Sequence, residues 1–300
     1  MAKVGSRTGF VIALEADRPT VRLDDGAEWR CRLRGRLRRD AGQVLVGDRV
    51  EVTPIGAGEG WVEAVLPRGV VLERPPLANV HGLIVGFSLR DPAGSLWLLD
   101  RRLVLAELMG LAAVIAVTKV DLLTAEDRHH LDPWVAQYPV VWTSARTGEG
   151  LAALSERLAG GIWVLTGESG AGKSSLINAL VPGAGARVQD LSRIGRGRQT
   201  TRTVRLYPVG NAWLADTPGF TRLDLPRVPP RQVMEAFSEL RELQCRFADC
   251  LHLGEPGCAL PDALGRTVAP IRYEHYRTLA AELAATGEGR RQREGGREHL

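Results

Sequence analysis

At 300 residues, 44% of them hydrophobic and 25% charged, the chain is long enough for two or three domains with real cores and too apolar to stay disordered. Its longest apolar region, 103–117, is broken by Glu107 and Gly110 and falls short of the roughly 18 to 20 residues of a membrane span, and "MAKVGSRTGF" lacks the apolar core of a signal peptide. A formal charge of +4 leans mildly towards anionic partners, four Cys make no disulfide framework, and the expectation is a cytoplasmic monomer with no membrane contact.

Residues 1–68 hold the β-like runs "GFVIALEA", "PTVRLDD", "EWRCRLRGRL", "DRVEVTPI" and "GWVEAVLP", separated by Gly, Asp and Pro turn signals. That rhythm predicts a small antiparallel barrel. Arg30, Arg32, Arg34, Arg36 and Arg38 recur at spacing two, with Cys31, Leu33, Gly35 and Leu37 between them. As a strand this gives one guanidinium face and one small apolar face. Five strands with a basic one among them favour an OB-type barrel, a platform for single-stranded nucleic acid; a merely solvated charged face has the same spacing. Phe10, Trp29 and Trp61 could stack on bases, but core packing is the expectation for any one of them. "RPPLANV" at 74–80 reads as a linker.

From about residue 80 the pattern changes. "VHGLIVGFSL", "LAAVIAVT", "YPVVWTSA", "GIWVLTG" and "AWLADTPG" are strand-like, while "LLDRRLVLAELMG", "GEGLAALSERLAG" and "GKSSLINALV" are helix-like. Such alternation predicts a parallel α/β sheet over 69–226. A third unit, 227–300, opens with "QVMEAFSELREL", where Val233, Phe237 and Leu240 make one apolar helical stripe that Met234 widens. Its tail from 284, "AATGEGRRQREGGREHL", is Gly- and charge-rich and is expected to be frayed unless a partner orders it.

Gly167, Glu168, Ser169, Gly170, Ala171, Gly172, Lys173 and Ser174 spell G-x-x-x-x-G-K-[ST], with Ser175 following, between a strand-like and a helix-like run. Polyphosphate must approach backbone N–H groups closely, which the glycines permit, and a helix N-terminus adds a favourable dipole. Lys173 is expected on the β- and γ-phosphates and the Ser174 hydroxyl on Mg²⁺. Downstream, Asp216-Thr217-Pro218-Gly219 ends a strand; Asp216 suits Mg²⁺ through water, and the Gly219 N–H suits the γ-phosphate. Between them, Thr200 and Thr201 occupy the place of a switch threonine that reaches Mg²⁺ and γ-phosphate. From Arg187 to Arg205, six Arg meet the single acid Asp190, a second candidate for phosphate-backbone contact.

"IAVTKVDL" delivers Thr118, Lys119, Val120 and Asp121 to the end of a strand. An Asp carboxylate accepts two parallel hydrogen bonds from guanine N1–H and the 2-amino group, a pair adenine cannot offer. "WTSA" likewise ends a strand with Ser144 and Ala145, whose backbone N–H suits guanine O6. These loops precede the phosphate loop, so the order is permuted: base, base, phosphate, switch one, switch two. A parallel sheet tolerates this, because binding residues gather at the carboxyl ends of its strands whatever the chain order.

Cys245, Cys250, His252 and Cys258 form C-x₄-C-x-H-x₅-C, three thiolates and an imidazole that satisfy one tetrahedral structural Zn²⁺ and leave no open position. His129 and His130 read as solvated, and Cys31 as a small core residue of the barrel.

Taken in order, the barrel, "TKVD", "TSA", "GESGAGKSSLINAL", "GRGRQTT", "DTPGF" and the Cys/His cluster make the chain resemble the ribosome small-subunit-dependent GTPase A family, also called RsgA or YjeQ. The resemblance implies an N-terminal OB-type barrel, a circularly permuted P-loop GTPase domain and a C-terminal helical zinc-binding module. It implies a GTP hydrolase, using GTP and GDP with Mg²⁺, that binds the small ribosomal subunit and its rRNA late in assembly and is stimulated by that subunit. Two positions depart from expectation. Thr118 stands where many GTPases carry Asn, which puts more of the base discrimination on Asp121. Gln199 stands where the family usually has His; because Phe220 occupies the site of the Ras-like water-positioning Gln, Gln199 becomes the candidate for that task. The rival classes are an ATP-dependent phosphotransferase and an RNA-binding assembly scaffold whose nucleotide is a structural ligand.

Overall fold

The structure is a computed structural model that describes residues 5–15, 18–35, 37, 44–182, 204–216 and 225–294. Gln199, Thr200, Thr201, Gly219, Arg36 and Arg38 lie outside the described residues, as does the 187–203 part of the second Arg cluster.

Strands β1 (Arg7–Glu15), β2 (Arg18–Leu23), β3 (Glu28–Leu33), β4 (Arg49–Gly56) and β5 (Glu59–Val65) close on themselves. β1 pairs β2, β2 pairs β3, β3 runs parallel to β5, β5 pairs β4, and β4 returns to β1. Alternation decides what faces in: on β3, Trp29 and Cys31 are buried while Arg30 and Arg32 are exposed. Among the described residues Arg30 and Arg32 make no ion pair, whereas Arg7, Arg22, Arg34 and Arg49 each hold an acid. The strand ends at Leu33, so Arg34 leaves the row and binds Glu63 at 3.0 Å.

Phe10 and Trp29 pack inward, as expected. Trp29 belongs to the barrel core, and Phe10 packs edge-on against Trp213 of the next unit at 4.8 Å. Trp61 is half-buried under the guanidinium of Arg34. The predicted linker is also more ordered than its prolines suggest. β6 (Val71–Glu73) and β7 (Pro76–Ala78) form a hairpin, and Leu77 and Ala78 are fully buried, with Leu77 bridging to Val46. Burial of Leu77 against the barrel outweighs the local loop preference of the Pro-rich segment.

The second unit is a sheet in the order β10 (Val140–Trp142), β9 (Ala112–Thr118), β8 (Val80–Ser88), β11 (Ile162–Gly167), β13 (Ala212–Asp216), β12 (Arg205–Val209). All are parallel except β12. Strands buried on both faces read as continuous apolar runs, which is why β8, β9 and β11 stand out in the sequence. Leu83, Val85, Ile115 and Val164 face α1 (Leu96–Leu108), while Ile84, Val114, Trp163 and Leu165 face α4 (Leu151–Arg157) and α5 (Lys173–Leu180). The short helices α2 (Ala125–His129) and α3 (Asp132–Val135) lie between β9 and β10. β12 also touches the barrel, Ala13 pairing with Arg205, so one hydrogen-bonded sheet runs through both units.

The predicted helix over 232–243 is two helices, α6 (Pro230–Glu235) and α7 (Ser238–Arg241). Phe237 turns to an extended backbone at the break, which places its ring, fully buried, 5.7 Å from Tyr276. After α8 (Leu260–Ala263), α9 runs from Pro270 to Glu294, so the chain expected to fray from 284 is helical up to Glu294. Tyr276, Leu279, Ala280 and Leu283 of α9 join Val233, Phe237, Leu240 and Val104 of α1 in a third core.

Candidate functional site

The phosphate loop leaves β11 and enters α5. At Gly167 φ is 151° and a Cβ would lie 2.3 Å from the Gly86 carbonyl oxygen, so no side chain fits between the two parallel strands. Among the described residues, the N–H groups of Ser169, Gly170 and Gly172 find no protein acceptor, and those of Lys173, Ser174 and Ser175 open a helix whose first turn has none to offer. The loop and the helix start thus leave six backbone donors available, which is what a bound anion requires. Lys173 Nζ donates to the carbonyls of Gly167 at 2.9 Å and Glu168 at 2.6 Å, which fixes the ammonium over the loop. Burial, helped by the Arg102 charge, pushes the Lys173 pKa down. The Glu168 carboxylate accepts the Ser95 N–H at 2.6 Å, fastening the loop to the N-cap of α1. Ser174 and Ser175 are exposed, and Ala171 is buried beneath the loop.

The base-loop residues arrive from β9. Thr118 is 4% exposed, and its hydroxyl lies 2.9 Å from the Ala171 carbonyl and 3.2 Å from that of Phe87. Its hydroxyl therefore ties the loop after β9 to the phosphate loop. Lys119, held at φ 56°, lays its stem across the same loop and donates to the carbonyls of Gly170, at 2.8 Å, and Asp91. Val120 is buried in the main core, beneath the loop.

Asp121 is held by its neighbours. Ser144 Oγ donates to Oδ1 at 2.5 Å and Arg146 Nε to Oδ2 at 2.8 Å. The Ser144 bond first and the Arg146 bond second keep this carboxyl below the usual carboxylate range, and so ionised. The N–H of Ala145 makes no hydrogen bond among the described residues. These groups rim a cavity of about 660 Å³ bounded by Thr118, Lys119, Asp121, Leu122, Ala145 and Arg146 and, across from them, by the first turns of α5. A cavity of this volume takes a nucleoside-sized ligand. Leu122, 43% exposed, supplies an apolar wall that sequence reasoning missed; an apolar residue directly after the Asp was the available signal.

Asp216 closes β13 beside β11, its backbone opposite Arg205. Ser174 lies in the first turn of α5, directly after the loop that follows β11.

In the C-terminal unit, Cys245, Cys250, His252 and Cys258 bring four ligand atoms within 4.8 Å of one another. The three sulfurs stand 3.5, 3.6 and 3.4 Å from His252 Nδ1, and Cys245 lies 3.9 Å from Cys258. A tetrahedral zinc separates its ligands by roughly 3.5 Å from S to N and 3.8 Å from S to S, so the cluster fits that ion. Supporting bonds complete it. The N–H groups of Ala259 and Leu260 point at Cys245 and Cys258 sulfur, Glu255 accepts from the N–H groups of Leu251 and Leu253, and the Tyr273 hydroxyl donates to the His252 carbonyl. Cys31 is separate and inert, buried in the barrel with its thiol pushed up to about 11 by desolvation. His129 is exposed as expected but lies 3.1 Å from Asp132, a partner the sequence reading did not find.

A family model for the RsgA GTPase matches residues 65–226 and one for the RsgA N-terminal domain matches 19–62. The "Small ribosomal subunit biogenesis GTPase RsgA" of Moorella thermoacetica is 44% identical over 268 residues, 87% of this chain and 92% of that protein. The protein of that name from Thermotoga maritima is 38% identical over 285 residues, 92% of this chain and 97% of its own length. Among solved structures, YjeQ from Thermotoga maritima superposes with a TM-score of 0.80 at 36% identity, covering 93% of this chain and 99% of that one. YloQ, described as a circularly permuted GTPase, superposes with a TM-score of 0.79 at 30% identity, covering 94% and 96%.

Proposed function

The chain belongs to the RsgA GTPase family, and on that premise we propose that it binds the small ribosomal subunit through its rRNA and hydrolyses GTP during a late step of that subunit's maturation, in the cytoplasm. The observation that carries the reading is the junction of two loops in reversed sequence order. Thr118 and Lys119 bind the carbonyls of Ala171 and Gly170 directly, which supports reading the two loops as the base and phosphate halves of one site.

In this reading Asp121 pairs with guanine, Ala145 N–H meets its O6, and the Lys119 stem and Leu122 flank the ring. Gly167 to Ser175 cradle the phosphates, and Lys173 leaves its carbonyl partners for the β- and γ-phosphate oxygens. Ser174 and Asp216, with Thr201, would hold Mg²⁺, which neutralises charge developing on the transferred phosphoryl group. Thr200, Thr201, Gly219 and the water-positioning Gln199 are assigned from sequence alone. Residues 1–68 serve as the RNA-facing barrel, with Arg30 and Arg32 available for phosphate; 69–226 as the GTPase unit; and 227–300 as the zinc-bearing unit. The chain acts as a monomer. The test is co-sedimentation with purified subunits: the chain loaded with a non-hydrolysable GTP analogue should pellet with small subunits and not with large ones. Equal recovery with both would contradict the reading.

Zinc has its own prediction. Fresh protein should carry one zinc per chain, and Cys250→Ser should lose most of it and lower the unfolding temperature of the C-terminal unit, because three ligands do not fill a tetrahedral site. Metal analysis that finds no zinc in the unaltered protein would end this assignment.

A further inference from the structure

We propose that Arg146 is a positioning residue for guanine selection: with Ser144 it locks the Asp121 carboxylate in the plane that accepts both N1–H and the 2-amino group. This rests on the base-site reading above and names a residue outside its contact set.

The argument is one of donors and lone pairs. Ser144 Oγ accepts the N–H groups of Arg146 and Thr147, each at 3.2 Å, so both of its lone pairs are engaged. Its single proton is left for Asp121 Oδ1, at 2.5 Å. That bond alone leaves the carboxylate free to turn about the Cβ–Cγ axis. The second bond, Arg146 Nε to Oδ2 at 2.8 Å, removes the rotation. An ionised carboxylate accepts at about four lone-pair sites. The two clamps use one site on each oxygen and leave one on each for the base. Position agrees with this. Asp121 is only 10% exposed while Arg146 is 73% exposed, and both line the cavity. The cation therefore reaches in from the rim without filling the pocket. The lowered pKa of Asp121, due first to Ser144 and then to Arg146, fits the same clamp.

Bidentate pairing needs the carboxylate plane fixed, and a single hydrogen bond tolerates its rotation. Inosine triphosphate keeps N1–H and O6 but lacks the 2-amino group, so the ratio of GTP to ITP affinity reads out the clamp. Arg146→Ala is expected to fold normally, the side chain being mostly exposed, and to lower that ratio about tenfold, chiefly by weakening GTP. Arg146→Lys should recover part of the loss, because a cation returns without the fixed fork. In an Asp121→Asn background, Arg146→Ala should change the ratio no further. An unchanged ratio in Arg146→Ala, or tighter GTP binding, would overturn the proposal, the second result making Arg146 an obstruction. Unaltered protein with no preference for GTP over ITP would instead overturn the base-site reading on which it stands.

Discussion

Asp121→Asn should lower the affinity for GTP by about 100-fold or more and make XTP the better ligand. The carboxylate offers two acceptors, and guanine presents two donors, N1–H and the 2-amino group. Asparagine offers one acceptor and one donor. Xanthine, which has a carbonyl where guanine has its amino group, complements that pair. The effect is amplified because Asp121 already accepts from Ser144 and Arg146. An amide nitrogen turned towards the Arg146 guanidinium would face a second donor with no acceptor between them. Competition of GTP, XTP and ATP for the site measures this. Unchanged GTP affinity in the variant would remove Asp121 from base recognition.

Arg272→Met should cost about 3 to 5 kcal/mol in the stability of the C-terminal unit. Arg272 is 1% exposed and holds Asp100 of α1 and both oxygens of Glu239 of α7. Trp134 Nε1 and His275 Nδ1 also reach Asp100, at 2.7 and 2.6 Å. Burial alone would push the Arg272 pKa down, but the charge of Asp100 and the bonds to Glu239 more than offset it, and the group stays charged. The rings of Phe237, Tyr138 and Trp134 surround the guanidinium. Methionine fills much of the space but leaves two buried carboxylates facing each other. Since Asp100 belongs to the GTPase unit and Arg272 and Glu239 do not, the variant should detach one unit from the other. Calorimetry should then resolve an early transition for the C-terminal unit; a single transition at the original temperature would contradict the account.

Much of the candidate nucleotide site was legible because its chemistry is local. Gly167 to Ser174 carry their own spacing, and β8, β9 and β11 are apolar runs because a parallel sheet is buried on both faces. The barrel was legible for the complementary reason, its strands alternating. What local pattern could not show is what depends on distant partners. Thr118 read as a weakened base contact; its hydroxyl proves to be joined to Ala171, 53 residues on. Glu168 read as a phosphate-loop residue, yet its carboxylate fastens Ser95, 73 residues back. β12 escaped notice because Pro208 interrupts it, and a proline mid-run argues against a strand. Its partner β13 accommodates it, Pro208 lying opposite Trp213. The 74–80 segment looked like a linker until the burial of Leu77 was visible. The charge network about Arg272 had no sequence signature, its members lying 172 and 33 residues apart.

The permuted order has a structural consequence. In this topology the helix α4 leads straight into the phosphate-loop strand, and β13 is the last strand before the C-terminal unit. The same unit is clamped to α1, whose N-cap residue Ser95 is held by Glu168 of the phosphate loop. The barrel, for its part, is hydrogen-bonded to β12, the strand that follows the candidate switch threonines. Both flanking units therefore contact the GTPase unit directly, the barrel at β12 and the C-terminal unit at α1.

The most direct test is steady-state GTP turnover measured with and without purified small subunits, with ATP as the control nucleotide. Small subunits should raise GTP turnover by at least about tenfold and leave ATP unhydrolysed, and Lys173→Ala should abolish the stimulated rate. Turnover that is the same with and without subunits would contradict a subunit-stimulated GTPase.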